Sequence, residues 1–250
     1  MRGRSLVSLG LLTGLLVAGC SQAPRHSAAP VDAPPARVVY AALGASETVG
    51  VGTDDPTRQS FPQRLFQRLP RSAVLYNFGL PGETTAAALS DELPPALAVQ
   101  PTLVTVWFNV DDMAAGVAAA DYETRLDRLV SALRRDGSTR VLLANSPPLD
   151  RLPAYAACRP DPPPGAVKCP LAGATLPPPE ELEALVAAYN AAVARVAALR
   201  GAVVVDLFAQ AAGLEQHPEY VSADGFHPSA EGAAAIAAAF AAQLGTAATG

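Results

Sequence analysis

Cysteine, histidine and tryptophan are scarce in this chain of 250 residues: three, three and one. Charge is also sparse. Only 16% of residues are charged, and the formal net charge is −5. A chain with no basic excess offers no face for nucleic acid, so no nucleic-acid partner is expected. Beyond the N-terminus no run is expected to be long and apolar enough to span a bilayer. The alanine-rich stretch 233–242 carries too few large side chains for that and reads as a packed helix. Half the residues are hydrophobic, enough for one sizeable core, and one domain is expected rather than two.

What is present begins with an export signal. Arg2 and Arg4 precede an apolar run from Leu6 to Val17, with the layout of a secretory leader. The run ends in Leu16-Val17-Ala18-Gly19-Cys20, which resembles the bacterial lipobox, whose cysteine is lipidated and becomes the mature N-terminus. The competing reading is an ordinary leader with an incidental cysteine; the small residues at 18 and 19 favour lipidation of Cys20. Residues 1–19 are thus expected to be the signal peptide. Residues 20–36 are the lipidated Cys20 and a Ser/Ala/Pro-rich tether that cannot bury enough apolar surface to order itself. Residues 37–250 form the domain. Several acyl chains on Cys20 would hold the protein firmly at the extracytoplasmic face of a bacterial envelope membrane. The other two cysteines, Cys158 and Cys169, lie in a proline-rich insertion, 152–179. In an oxidising compartment they are expected to form a disulfide; two metal ligands without a nearby His or further Cys are the weaker alternative.

From Arg37 onward, apolar runs of β type alternate with amphipathic helical runs. Strands are expected at 38–43, 73–78, 103–108, 141–144 and 202–205, and helices at 60–69, 84–97, 122–135, 180–199 and 230–244. In the third helix Leu126, Leu129, Val130 and Leu133 fall at three- and four-residue steps. Strands alternating with helices give βαβ units: an α/β fold with a parallel sheet and helices on both faces. The loops after the strands then gather at one sheet edge, where such folds place their chemistry. No internal repeat is visible.

The first strand, Val38 to Leu43, is apolar throughout and stops at Gly44; Ser46 follows at the carboxyl end. Near the other end of the chain stands Ser222-Ala223-Asp224-Gly225-Phe226-His227-Pro228. A carboxylate three residues before an imidazole can hold one ring nitrogen and leave the other to take a proton from a serine. His26 falls in the tether and His217 in the loop before this motif, so His227 is the natural base. A plain helix-capping turn is the competing reading for Asp224 and His227.

Four blocks taken together sharpen this. They are Gly44-Ala45-Ser46 after the first strand, Asn77 through Thr84 with Gly79 and Gly82 after the second, Asn109-Val110-Asp111-Asp112 after the third, and Asp224-x-x-His227-Pro228 before the last helix. In this order they resemble the SGNH (GDSL-like) hydrolase family, over residues 37–244. The resemblance implies a three-layer α/β/α sandwich with a central parallel sheet of flavodoxin-like order. It implies ester hydrolysis with neither metal nor organic cofactor, on a small-molecule or glycan ester. It also implies Ser46 as nucleophile, His227 as base and Asp224 as its orienter, with the backbone N–H groups of Ser46 and Gly82 as oxyanion donors. Gly82 holds the family's place before the acid–Thr pair, and a missing Cβ lets a substrate approach the backbone.

Two positions depart from the family's pattern. Ala45 stands where an Asp is usual, and Asp111 stands where an Asn donates to the oxyanion. An ionised carboxylate about 3 Å from an oxyanion opposes it by roughly 5 kcal/mol at an effective dielectric near 20. Three readings stay open: Asp111 is protonated and donates, Asn109 donates in its stead, or the site is slow or inert and only binds a ligand. Among the other polar residues, Asn145 and Asp206 end strands and serve either the cleft or local caps. Glu47 and Thr48 open the loop after the serine. Glu83 is placed to cap the helix near Thr84, and Trp107 to lie in the core.

Overall fold

The computed structural model describes residues 37–159, 162–166, 168–169 and 176–245. Cys20, the leader and the tether lie outside the described residues.

Five strands, β1 (Val39–Gly44), β2 (Val74–Asn77), β3 (Leu103–Trp107), β4 (Arg140–Ala144) and β5 (Val203–Val205), form one sheet in the order β2-β1-β3-β4-β5. Every pairing is parallel. The chain runs outward from β1 to β2, then crosses back to β3 on the other side of β1. That reversal opens a crevice at the carboxyl ends of β1 and β3, which the register sets level, Gly44 beside Trp107.

Short helices α1 (Ser46–Val49), α2 (Pro56–Gln59) and α3 (Phe61–Phe66) join β1 to β2, and α4 (Thr85–Asp91) and α5 (Leu93–Ala98) join β2 to β3. Then come α6 (Val110–Ala114) and α7 (Ala119–Arg134) before β4, α8 (Pro153–Ala157) and α9 (Pro179–Arg200) before β5, and α10 (Leu207–Gln210) and α11 (Ala230–Ala242) after it. Successive strand side chains alternate between the two faces. Ala41, Leu43, Val104 and Val106 pack with α4, α5, α7 and α9, while Tyr40, Ala42, Leu103 and Trp107 pack with α3 and α11. On the second face Phe61 stacks on Phe240 at 4.9 Å and meets Trp107 edge-on at 5.8 Å. The result is the expected α/β/α sandwich.

The structure departs from the sequence expectations in several local ways. The expected helix 84–97 breaks at Glu92, because Pro94 has no N–H to give the carbonyl of Ser90. The expected helix 60–69 is the shorter α3, Phe61–Phe66, and an extended Ser60 separates it from α2, Pro56–Gln59, which lies before the expected span. Glu83 is not the cap of α4; the Thr84 hydroxyl accepts from the Ala87 amide instead. The expectation that no later run reaches membrane-spanning length and hydropathy is also corrected. Helix α9 has 22 residues and a mean hydropathy of 1.4. Its alanines raise that average. The helix lays Leu182, Val186, Tyr189, Val193 and Val196 into the core, and Arg195 and Arg200 pair with Glu123 and Asp127 on α7.

The break at Glu92 has a structural use. Glu92 is 0% exposed. Its Oε2 accepts from the Gly44 amide at 2.9 Å, at the turn leading into Ser46, and its Oε1 has no partner among the described residues. Burial pushes the carboxyl up to about 8; the bond from the Gly44 amide and the nearby Leu80 amide pull it down, and Glu83 and Asp91 push it further up. Folding therefore retains a proton that the unfolded chain, near 4.5, has released. Stability should fall as pH rises from about 4.5 towards 8, by up to about 1.4 kcal/mol per pH unit from this group. Glu92→Gln, which keeps an acceptor for Gly44, should flatten that decline, as read from melting temperatures at pH 5 and pH 8. An unchanged slope would assign the decline to other carboxyls.

Candidate active site

Ser46 is the first residue of α1 and 9% exposed, held where β1 ends. The loop after β2 is fastened against it. Asn77 donates from Nδ2 to the Thr48 carbonyl at 2.7 Å, and the Leu80 amide donates to the Gly44 carbonyl at 3.0 Å.

The histidine arrives on a tight turn. The Ser222 amide donates to the His227 carbonyl at 2.8 Å, and Val221 bridges Pro228 in antiparallel fashion. The Ala154 amide, at the start of α8, donates to the Gly225 carbonyl at 2.9 Å, so the head of the 152–179 insertion buttresses this turn. Gly52, in the loop after α1, packs directly beneath it. It sits at φ +93°, and a Cβ there would come within 2.7 Å of the His227 Cβ and 2.6 Å of the Pro228 carbonyl oxygen. Only a glycine lets the serine and histidine loops approach this closely.

These supports bring Ser46 Oγ and His227 Nε2 to 3.0 Å, and His227 Nδ1 and Asp224 Oδ2 to 2.6 Å. The other oxygen of Asp224 accepts from the Ser222 hydroxyl and from the Phe226 and His227 amides, at 2.8–2.9 Å. Burial alone would raise the Asp224 carboxyl, but these bonds, the His227 ring first, hold it down at about 2. An ionised Asp224 is an acceptor only, so Nδ1 carries the ring proton and Nε2 presents a lone pair to the serine.

Two backbone donors stand free. Neither the Ser46 nor the Gly82 amide donates a hydrogen bond among the described residues. Gly82 is exposed at φ +78°, with nothing within 4 Å of where a Cβ would be. Gly79 differs: its amide is already bonded to Asn77 Oδ1 at 3.1 Å, and a Cβ there would meet Thr48 at 2.8 Å.

The third block divides by burial. Asp112 is wholly buried and accepts from the Thr85 amide and hydroxyl at 2.8 and 2.7 Å, with Arg125 4.0 Å away. Asn109 is 3% exposed, and its Nδ2 is sealed from solvent without a partner among the described residues. Asp111 is partly exposed. Burial pushes its carboxyl up to about 6, with Glu47, Asp112 and Glu83 adding to the rise and His227 opposing it.

Sequence reasoning missed Glu47. Its Oε2 lies 3.3 Å from Ser46 Oγ, a second acceptor for the serine proton, and burial raises its carboxyl. The only signal was its place beside Ser46. Asn145 and Asp206 prove to be local braces: Asn145 donates to Asp206 at 2.8 Å, and Asp206 caps α10. Trp107 is buried, as expected for a core residue. Cys158 and Cys169 are joined in a disulfide, with Cα atoms 4.8 Å apart, which removes the metal reading for this pair.

No curated protein matches the chain significantly. Several solved structures are similar in fold. TesA is 22% identical with a TM-score of 0.62, over 83% of this chain and 98% of its own. A lipase/acylhydrolase from Enterococcus faecalis is 19% identical at 0.62, over 83% and 95%. An acetyl xylan esterase, AlAXEase, is 16% identical at 0.59, over 83% and 100%. The sequence model of the GDSL-like lipase/acylhydrolase family matches residues 42–235, which take in all four blocks around Ser46 and His227. The chain therefore belongs to the GDSL-like lipase/acylhydrolase family and carries the fold of the SGNH hydrolases.

Proposed function

We propose that the protein is a serine hydrolase of the bacterial envelope that cleaves carboxylic esters through an acyl-Ser46 intermediate. The observation that carries this reading is the unbroken hydrogen-bonded chain from Ser46 through His227 to Asp224, at 3.0 and 2.6 Å. As Ser46 Oγ attacks the ester carbonyl carbon, its proton passes to His227 Nε2. The resulting imidazolium is stabilised by ionised Asp224. The C–O bond to the alcohol then breaks, and Nε2–H protonates the departing alkoxide. Water attacks the acyl carbon next, giving its proton to His227; the bond to Oγ then breaks, Nε2–H returns the proton to Ser46 Oγ, and the free acid departs. The Ser46 and Gly82 amides receive the oxyanion, and Asp111 adds a third donor as a neutral acid. Membership of a lipase and acylhydrolase family, with a lipase/acylhydrolase and an acetyl xylan esterase among the structural neighbours, supports an ester as the bond cleaved.

A fluorophosphonate tests this without a choice of substrate. Attack by Ser46 forms an O–P bond and expels fluoride, so peptide mass analysis should find one adduct, on Ser46, absent from the Ser46→Ala protein. A folded protein left unlabelled overturns the assignment.

Anchoring rests on the motif ending at Cys20. Cys20→Ser should move the protein from the membrane fraction to the soluble fraction of a bacterial host that lipidates such motifs; retention in the membrane would refute the anchor. One observation favours a second reading, a protein that binds an ester or glycan ligand without turnover: the carboxyl at position 111.

A further inference from the structure

The two amides proposed to receive the oxyanion lie on separate loops, Ser46 after β1 and Gly82 after β2. Those loops are joined two residues upstream of each donor, where the Leu80 amide donates to the Gly44 carbonyl at 3.0 Å. The N–H of the same Gly44 is held by Glu92, whose Oε2 accepts from it at 2.9 Å. The Leu80 amide also lies near that carboxyl. Glu92 closes α4, the helix that begins just past Gly82. One segment, 80–92, therefore grips Gly44 at both of its backbone groups, once before α4 and once after it. Glu92 is wholly buried, so no solvent stands ready to replace its oxygen.

We infer that Glu92 is the positioning residue of the oxyanion hole: it fixes the Gly44 turn, and with it the placement of the Ser46 and Gly82 amides. The inference rests on the ester-hydrolase reading above. Glu92 acts through backbone and not through the triad, since among the described residues its side chain bonds to Gly44 alone. Take the acceptor away, and Gly44 keeps a buried N–H with no partner, which the turn relieves only by shifting. A shift of about 1 Å in a positioned group can cost about 10²-fold in rate. Oxyanion donors bind most tightly in the transition state, so the loss falls on kcat and spares KM.

Two variants of the full-length protein test this. Glu92→Leu keeps the bulk and removes the acceptor; Glu92→Gln keeps both. They are compared with wild type at a temperature where circular dichroism shows all three folded. With one chromogenic ester, Glu92→Leu should lower kcat about 10²-fold and leave KM within about threefold, while Glu92→Gln should bring kcat back to within about threefold of wild type. A role in stability alone would shift the melting temperature and leave this split between kcat and KM unseen. Should Glu92→Leu fail to fold, Glu92→Asp draws the acceptor back by one methylene and should show the same loss in kcat alone. An unchanged kcat in the folded variant, or an equal loss in Glu92→Gln, overturns the inference.

Hydrogen exchange separates the two claims. In Glu92→Leu the Gly44 and Leu80 amides should lose protection by at least about tenfold, and in Glu92→Gln they should keep it. A wild type that cleaves no ester and takes no fluorophosphonate refutes the hydrolase reading. Exchange then still decides the part played by Glu92: lost protection sustains its hold on the two loops, and unchanged protection overturns it. If esters are cleaved and Glu92→Leu cleaves them as fast as wild type, the positioning role fails and the hydrolase reading stands.

Discussion

Ser46→Ala and His227→Ala should each lower kcat for ester hydrolysis by about 10⁵ to 10⁶, and combining them should cost no more than either alone. In the proposed mechanism the three side chains act as one device. Without the hydroxyl there is nothing to acylate, and without Nε2 the hydroxyl proton has no destination of suitable basicity. The nearby Glu47 carboxylate, 3.3 Å from Ser46 Oγ, is no substitute, because it cannot return a proton to the leaving alkoxide from the place that Nε2 occupies. Asp224→Asn should cost less, about 10⁴. An amide at 224 can donate to Nδ1, which turns the ring tautomer so that Nε2 carries the proton and no longer accepts from Ser46. The same substitution weakens an acceptor that satisfies three further donors, the Ser222 hydroxyl and the Phe226 and His227 amides. Because the folded state holds Asp224 at about 2 against an ordinary 3.8, the wild type draws stability from it above pH 4 and loses that as pH falls towards 2. Acid unfolding of Asp224→Asn should lack this component. Steady-state kinetics with one chromogenic ester measures all four variants, and additive losses in the Ser46/His227 double variant would show that the two do not work together.

The fold was legible in the sequence wherever burial leaves a plain pattern. Strand β1 is covered on both faces, so all its residues are apolar and the run stands out. Helix α7 is covered on one side, so Leu126, Leu129, Val130 and Leu133 mark its inner stripe. The site was legible through residues whose chemistry is rare here, one of only three histidines placed three residues after a carboxylate, together with the spacing of four blocks. What stayed hidden depends on where the chain puts ordinary residues. Glu92 follows Ser90 and Asp91 and reads as the polar face of a helix. Only the break before Pro94 turns it inward, under the Gly44 amide. Gly52 reads as one more loop glycine, and its need to lack a Cβ appears only when a turn 175 positions later (227 − 52) lands on it. The hydropathy of α9 misleads in the other direction, since alanine counts as apolar in any window yet half of the helix faces solvent or ion pairs.

Asp111→Asn should raise ester turnover at pH 8 by about 10²-fold and leave it little changed near pH 5. Asp111 is partly exposed at the start of α6, and Glu47, Asp112 and Glu83 add to the effect of burial in raising its carboxyl to about 6. Below pH 6 the group is a neutral acid and can donate to an oxyanion. Above pH 6 it is a carboxylate facing negative charge that develops in the transition state. The wild-type profile should therefore descend through an alkaline limb near 6. An asparagine donates at every pH, so the variant should lose the descent. One donor in an oxyanion hole is worth about 10² to 10³ in rate, which sets the scale of the gain. The buried Asn109 cannot produce this pattern, because its sealed Nδ2 does not titrate. A variant slower than wild type at pH 8, with the alkaline limb intact, would place Asp111 outside the oxyanion hole. Turnover that first appears in the asparagine variant, from a wild type inert at every pH, would instead establish the protein as a ligand-binding member of a hydrolase family, silenced by a single carboxyl.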